Sequence, residues 1–277
     1  MDILNEYVKN EFYLKHELTE KPIDGDFPLH IHDTCELYLF LGGNTEYLVE
    51  GNVYTLSPGN IVILSPHETH KTKILSSEPY ERYVVNFPCS MFDSIDPQRR
   101  LLRVFLSRKN GHDNLFKKEE LGEFNIRELF DGACYCNEDD YGKELKIKSL
   151  VLKTLEVLNS VYQKRESASD SQSREVEIVA YVNERLFEEI NVPLLAKRFF
   201  LSTSQFNRIF KNATGVAPWR YIAVKRLSIA RERLKLGDSV KNAFETSGFK
   251  DYSSFYRAFK GEYGISPRQF KEQQSEL

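Results

Sequence analysis

The run FNRIFKNATGVAPWRY, Phe206–Tyr221, is written a second time as FYRAFKGEYGISPRQF, Phe255–Phe270. Phe206, Arg208, Phe210, Lys211, Gly215 and Pro218 return as Phe255, Arg257, Phe259, Lys260, Gly264 and Pro267, while Val216 and Tyr221 return as Ile265 and Phe270. Each copy places apolar residues at i, i+3 and i+4 (Phe206, Ile209, Phe210; Phe255, Ala258, Phe259), which lines one helix face. Each stops at a glycine, a helix C-terminal signal. A short helix, a tight turn and this second helix make helix-turn-helix order. Between the copies, PWRYIAVKRLSIARERLKLG predicts a helix of about 20 residues, hence roughly 30 Å. That approaches the ~34 Å between successive major grooves on one face of DNA. A solenoid would go on repeating, whereas this unit occurs twice and is separated by a spacer.

The faces opposite the apolar stripes carry Ser204, Gln205, Asn207, Arg208 and Lys211 in one copy, and Tyr252, Ser253, Tyr256, Arg257 and Lys260 in the other. Arginine reads guanine and asparagine or glutamine reads adenine through paired hydrogen bonds. Lysine, serine and tyrosine suit phosphates. Flanking segments are helical by pattern. EVEIVAYVNERLFEE is amphipathic; NVPLLAKRFF starts at Asn191 as N-cap with Pro193 just inside; Ser202 caps the next helix. VKNAFETS leads through Gly248-Phe249 to a helix near 252–263, and a last helix opens at Ser266-Pro267. Charge divides the same way. The chain's net charge is −3, but from Arg174 onward 18 Lys+Arg stand against 12 Asp+Glu, a net +6 that leaves −9 for the rest. A basic half beside an acidic half implies two domains with different partners.

With these residues in view, 175–273 resembles the AraC/XylS family of bacterial transcription regulators. LAKRFFLSTSQFNRIFKNATGVAPWRYI and GFKDYSSFYRAFKGEYGISPRQFK carry the likeness, the second following the family's closing signature from Gly248 to Phe270. The resemblance implies that Ser204, Asn207 and Arg208, and then Tyr252, Ser253, Tyr256 and Arg257, face the bases. Phe244 departs from the family's usual small alanine, and a ring there changes how the second pair of helices crosses.

The acidic half begins differently. Over 27–88, the apolar runs YLFL, EYLV, VYTL and IVIL alternate with GGN, EGN and SPGN turns, and ERYVVNF at 81–87 adds a strand. Short strands at this spacing predict a sandwich or small barrel. Within FPLHIHDTCELYLFLGG, the spacing His30-x-His32-x3-Glu36-x6-Gly43 is similar to the first motif of cupins, small β-barrels, and His70 stands where their later histidine falls. In metal cupins such residues hold an ion. Here the second motif's Pro-x-Gly spacing is off by one and its trailing Asn is missing, so no metal or other cofactor is expected. His30, His32, Glu36 and His70 are expected to line an effector pocket and bond hydroxyls of a sugar-like ligand, with Tyr38, Tyr47, Tyr54 or Tyr83 as stacking faces.

From about Gln98 to Tyr162 the pattern is helical. In ELKIKSLVLKTLEVLNSVY, Ile147, Val151, Leu155, Leu158 and Tyr162 form one stripe, suited to covering the barrel or to pairing with a second copy. KRESASDSQSRE, 164–175, is Ser-rich and charged, without an apolar anchor, and reads as a linker. The four cysteines, Cys35, Cys89, Cys134 and Cys136, form no C-x-x-C pair and suit a reduced compartment. No signal peptide or 18-residue apolar span is read.

The expectation is therefore an α+β chain of two domains. Residues 1–163 form a cupin-like barrel (about 10–90) with helices (about 98–163), for effector sensing and dimerisation. The linker is 164–175, and 176–277 is an all-α DNA-binding domain with two helix-turn-helix motifs joined by a long helix. The expected partners are double-stranded DNA, a small effector such as a carbohydrate, a second copy of the chain, and RNA polymerase if the protein activates. The expected location is cytoplasmic, without membrane association. The alternatives are a metal-dependent cupin enzyme fused to a DNA-binding domain, or a barrel that only dimerises.

Overall fold

The computed structural model describes residues 2–9, 12–165, 174–188 and 190–275. Two antiparallel sheets form the N-terminal half. The strands run β1 (Asp2–Lys9), β2 (Phe12–Thr19), β3 (Cys35–Gly42), β4 (Thr45–Val49), β5 (Asn52–Thr55), β6 (Ile61–Leu64), β7 (His70–Ile74), β8 (Tyr80–Phe87) and β9 (Leu115–Phe116). The larger sheet has the order β1-β2-β8-β3-β6-β9 and the smaller β5-β4-β7. β1, β2 and β9 lie outside the 27–88 window that the turn signals mark. Strand β1 (DILNEYVK) carries little apolar patterning, and its partner β2 supplies the pairing.

Every residue of β3 from Cys35 to Phe40 is buried, because both faces of its sheet are covered. Leu37 and Leu39, with Ile61, Ile63, Val85 and Phe87, face a cluster that includes Phe130, Ile147, Val151, Leu155 and Leu158. Tyr38 and Phe40 point the other way, between the sheets, onto Tyr47, Val49, Val62 and Leu64. The helices of the first cluster are α2 (Ile126–Cys134) and α3 (Asp140–Arg165); a short α1 (Arg103–Leu106) precedes them. The long apolar stripe thus covers the sheet. The region from 98 to 139 is less helical than its pattern predicts, with short turns and β9 between α1 and α2.

The C-terminal half is α4 (Arg174–Glu184), α5 (Val192–Arg198), α6 (Thr203–Thr214), α7 (Pro218–Lys235), α8 (Val240–Thr246), α9 (Tyr252–Tyr263) and α10 (Pro267–Ser275). Local chemistry sets their ends. Asn191 accepts from the Leu194 amide (3.4 Å), Ser239 from Asn242 (3.0 Å) and Asp251 from Ser254 (2.7 Å), each satisfying an orphan amide of a helix start. Gly215 and Gly264 close α6 and α9 in the left-handed conformation, φ 79° and 75°, which glycine adopts without penalty. α7 belongs to two cores. Tyr221 and Ile222 pack with Phe206 and Phe210, and Leu227, Ala230 and Leu234 pack with Phe255 and Phe259. At 18 residues it is about 27 Å long. The expected linker falls largely on 166–173, outside the described residues.

Candidate functional site

The two repeated helices, α6 and α9, bury their phenylalanines and expose the opposite face. Phe206, Phe210, Phe255 and Phe259 are fully buried, whereas Ser204, Gln205, Asn207, Arg208, Lys211, Tyr252, Ser253, Tyr256, Arg257 and Lys260 are all exposed. All ten lie on the open faces of α6 and α9. Gln205 differs in one respect. Its Oε1 accepts from the Ser202 amide (2.9 Å) while Ser202 Oγ accepts from the Gln205 amide (3.2 Å). This capping box commits the Gln205 carbonyl oxygen to the helix start. Phe244 is half-buried, edge-on to Tyr252 (5.6 Å) and beside Phe255, so the ring seats the first residue of α9. Arg220 of α7 pairs with Glu262 of α9 at 2.6 Å and ties the second motif to the spacer helix.

A cavity of about 200 Å³ opens between the two sheets. Strand alternation builds it. Tyr13, Lys15 and Glu17 of β2, Arg82 and Val84 of β8, Glu36 and Tyr38 of β3, Tyr47 of β4 and Thr72 of β7 point inward, and Phe27 and His30 stand at its edge. Arg82 pairs with Glu17 at 2.7 Å, both nearly buried, and lies over the Tyr80 ring at 4.4 Å. Of the four expected pocket residues, His30 and Glu36 line this cavity. His32 and His70 stand beside Glu36 but are not part of its lining. Of the tyrosines, Tyr38 and Tyr47 line it. Tyr54 instead bonds the Gly111 carbonyl (2.5 Å), and Tyr83 faces the helices, where it bonds Asp131 (2.5 Å) and stacks on His16 (4.1 Å). Strand register, invisible from single runs, decides this. Lys15, Glu17 and Arg82 were missed because β2 and β8 meet only in the fold; their period-two polar residues on otherwise apolar strands were the available signal.

Glu36 lies among the histidines. Its Oε2 is 3.0 Å from His32 Nε2 and accepts from Asn86 Nδ2 at 3.0 Å. Burial disfavours the carboxylate, but the His32 hydrogen bond and the neighbouring imidazoles outweigh it and hold the group near 2, so it is ionised at neutral pH. Burial pushes the His70 imidazole well below its usual range.

A third constellation joins the two halves. Glu50, at φ 47° in the β4–β5 turn and only 4% exposed, receives Lys225 Nζ (2.5 Å), Tyr221 OH (2.5 Å) and Asn183 Nδ2 (2.7 Å) from the C-terminal half. From its own side it receives the Thr69 amide (2.6 Å) and hydroxyl (2.9 Å). Next to it, Gly51 (φ 95°) lies so close to α4 that a Cβ would meet Val179 at 2.8 Å. His67 touches Ser228 (3.0 Å) and Lys235 pairs with Asp33 (2.6 Å). The contacts from Tyr221 to Lys235 all lie on α7, the helix between the two repeated motifs.

Sequence comparison agrees with this division. Residues 18–120 match the AraC-like ligand binding domain, and residues 195–273 match a helix-turn-helix domain. The HTH-type transcriptional activator RhaS of Yersinia pestis (strain Pestoides F) is 27% identical over 256 residues, covering 89% of this chain and 90% of that protein. RhaS of Yersinia pseudotuberculosis serotype O:1b (strain IP 31758) gives the same figures. Among solved structures, ToxT from Vibrio cholerae O395 aligns over 97% of this chain and 100% of its own at 16% identity, TM-score 0.39. The DNA-binding domain of AdpA in complex with target DNA aligns over 35% of this chain and 88% of its own at 31% identity, TM-score 0.34. The class is thus a transcription regulator that couples a ligand-binding β-domain to a helix-turn-helix DNA-binding domain. Its two matched domains are an AraC-like ligand-binding domain and an AraC-family helix-turn-helix domain.

Proposed function

We propose that this regulator senses a small polyhydroxylated molecule of monosaccharide size in the cavity between its sheets, and that occupancy changes how α6 and α9 are presented to DNA. The chemistry of the cavity carries this reading. An Arg82–Glu17 pair, Lys15, Glu36 and His30 offer donors and acceptors converging on a small volume, and Phe27, Tyr38 and Tyr47 offer faces for sugar C–H groups. Such a wall fits an apolar chain poorly and a polyol well. The elements around this cavity also carry the contacts to α7. Asp33, just before β3, holds Lys235, and Thr69, just before β7, holds Glu50. A ligand that moves these segments has a differential affinity for two arrangements of the DNA-binding half, which coupling requires.

In this reading residues 1–163 sense and dimerise, 164–175 link and 176–277 bind DNA. Arg208, Asn207, Ser204, Arg257, Tyr252, Ser253 and Tyr256 face bases, and Lys211 and Lys260 face phosphates. Gln205 acts through its amide nitrogen or as a cap. A second copy packs along the outer face of α3, where Tyr141 and Leu145 are exposed. The protein works in the cytoplasm without catalysing a reaction. RNA polymerase is its further partner if, like the relatives named activators, it activates. The test is titration of monosaccharides into full-length protein, read by calorimetry and by anisotropy of a labelled cognate duplex. Saturable binding that shifts DNA affinity and is lost in Arg82→Ala supports the proposal. Sugar binding unaffected by Arg82→Ala, or no binding by any polyol, overturns it.

A further inference from the structure

Two of the four cysteines meet in the fold although 54 positions separate them in the chain. Cys35 opens β3 and is fully buried. Cys89 follows β8 as the first residue of a one-turn helix, Cys89–Phe92, and is half-buried, so small solutes reach it. Their Sγ atoms stand 3.3 Å apart. A disulfide needs about 2.05 Å, so closing the pair takes a movement of about 1.3 Å shared between two side chains. The two thiols are unequal. The hydrogen bond with Cys35 lowers the Cys89 thiol, and the Arg99 guanidinium helps against its partial burial. The same hydrogen bond and full burial raise Cys35. The thiolate is the nucleophile, so Cys89 attacks first and Cys35 keeps its proton. The other two thiols are placed differently. Burial and Asp131 push Cys134 up to about 12, and Cys136 Sγ donates to the Ala133 carbonyl at 3.4 Å.

We propose that Cys89 and Cys35 form a hydroperoxide-reactive pair whose disulfide changes the hold of the N-terminal half on α7. In the first step the Cys89 thiolate attacks one oxygen of a hydroperoxide. The S–O bond forms as the O–O bond breaks, and the departing oxygen takes a proton from solvent to leave as water or an alcohol. In the second step Cys35 Sγ attacks the Cys89 sulfenic acid. The S–S bond forms as the S–O bond breaks, and hydroxide leaves as water with the Cys35 proton. The two sulfurs together lose two electrons and the peroxide gains both. Exchange with a dithiol reopens the bond, which makes the dithiol the resting form in a reducing compartment. Position links the pair to DNA binding. Cys35 lies two residues after Asp33, whose carboxylate holds Lys235 of α7 at 2.6 Å. It also follows Thr34, which donates to Asn86 of β8 at 2.7 Å. Cys35 pairs with Phe87 at the end of β8. A bond that draws the start of β3 toward the turn after β8 therefore acts on Asp33 before any other contact to α7. This coupling rests on the proposed role of the α7 contacts, whereas the thiol chemistry does not.

The experiment treats reduced full-length protein with hydrogen peroxide, without sugar, and reads free thiols, peptide maps and anisotropy of a labelled cognate duplex. The expected result is loss of two thiols per chain and a Cys35–Cys89 linkage, formed at least tenfold faster than in the same chain unfolded in urea. Cys35→Ser, folded by circular dichroism, is expected to stop at a sulfenic acid on Cys89 that dimedone traps. A Cys134→Ser/Cys136→Ser double variant is expected to form the linkage as the wild type does. Four thiols that survive peroxide, a linkage through Cys134 or Cys136, or a rate no faster than in the unfolded chain overturns the thiol chemistry. Oxidation is expected to shift duplex affinity at least threefold, reversibly with dithiothreitol, and the shift to vanish in Asp33→Asn. A linkage formed without any shift, or a shift kept in Asp33→Asn, overturns the coupling. Sugar titration into the reduced protein reads the polyol pocket separately, so failure of either reading is seen without the other.

Discussion

Glu50→Gln keeps the side chain's shape and the left-handed backbone but removes the charge that faces Lys225. Both groups are buried, at 4% and 6% exposure. Breaking one side of a buried ion pair costs about 3–5 kcal/mol, because the remaining charge is left uncompensated. Five donors converge on this carboxylate, and an amide can accept from only part of that set, which favours the upper end. Three of the five come from the C-terminal half, so the loss falls on docking between the halves rather than on either core. At 1.4 kcal/mol per decade, the docking equilibrium falls by about two to three and a half orders of magnitude. The assay is limited proteolysis across 164–175 together with thermal unfolding. Faster cleavage and a split of one transition into two are expected. pH gives a second handle. Burial would raise the Glu50 carboxyl, but Lys225 and Tyr221 outweigh it and hold it below its ordinary 4.5. The contribution is then complete above about pH 4.5 and is lost as pH falls through the lower folded value. Unchanged cleavage and a single unshifted transition in Glu50→Gln would refute the reasoning.

Arg208→Ala and Arg257→Ala are each expected to cost about 1–3 kcal/mol on the cognate duplex and to relax preference at the bases they read, as measured by competition with single-base variants. Lys211→Ala should weaken every sequence alike and lower the salt slope by about 1, read from affinity against salt concentration. Ser202→Ala removes half of the capping box and should destabilise the C-terminal half by about 1 kcal/mol in denaturant titration. Its DNA affinity should fall only through that loss.

Much of the C-terminal half was legible because its determinants are local. The caps at Asn191 and Ser202, the glycines at 215 and 264, and the phenylalanines of each repeat act within a turn or two of helix, and every residue assigned to the open faces of α6 and α9 is exposed. The barrel was legible as a class of fold but not in register. Its apolar runs marked β3, β4, β5, β6 and β8 but not the polar β7 (HKTKI), and β1, with almost no burial of its own, depends on a partner strand. That is why Tyr54 and Tyr83 were grouped with Tyr38 and Tyr47 although they face elsewhere. Glu50 was hidden most completely. In sequence it is a polar residue in the turn segment EGN, and only the fold brings it to Lys225 and Tyr221. Nothing periodic or local encodes a contact of that separation.

The central claim is that two helices joined by α7 read adjacent major grooves. Selection of duplexes from a random pool by the full-length protein tests it most directly, followed by the same selection with Arg208→Ala and Arg257→Ala. The account predicts an enriched site with two half-motifs about 10–10.5 base pairs apart, one blurred by each variant. No enrichment over competitor DNA, or a motif that both variants select unchanged, would contradict it.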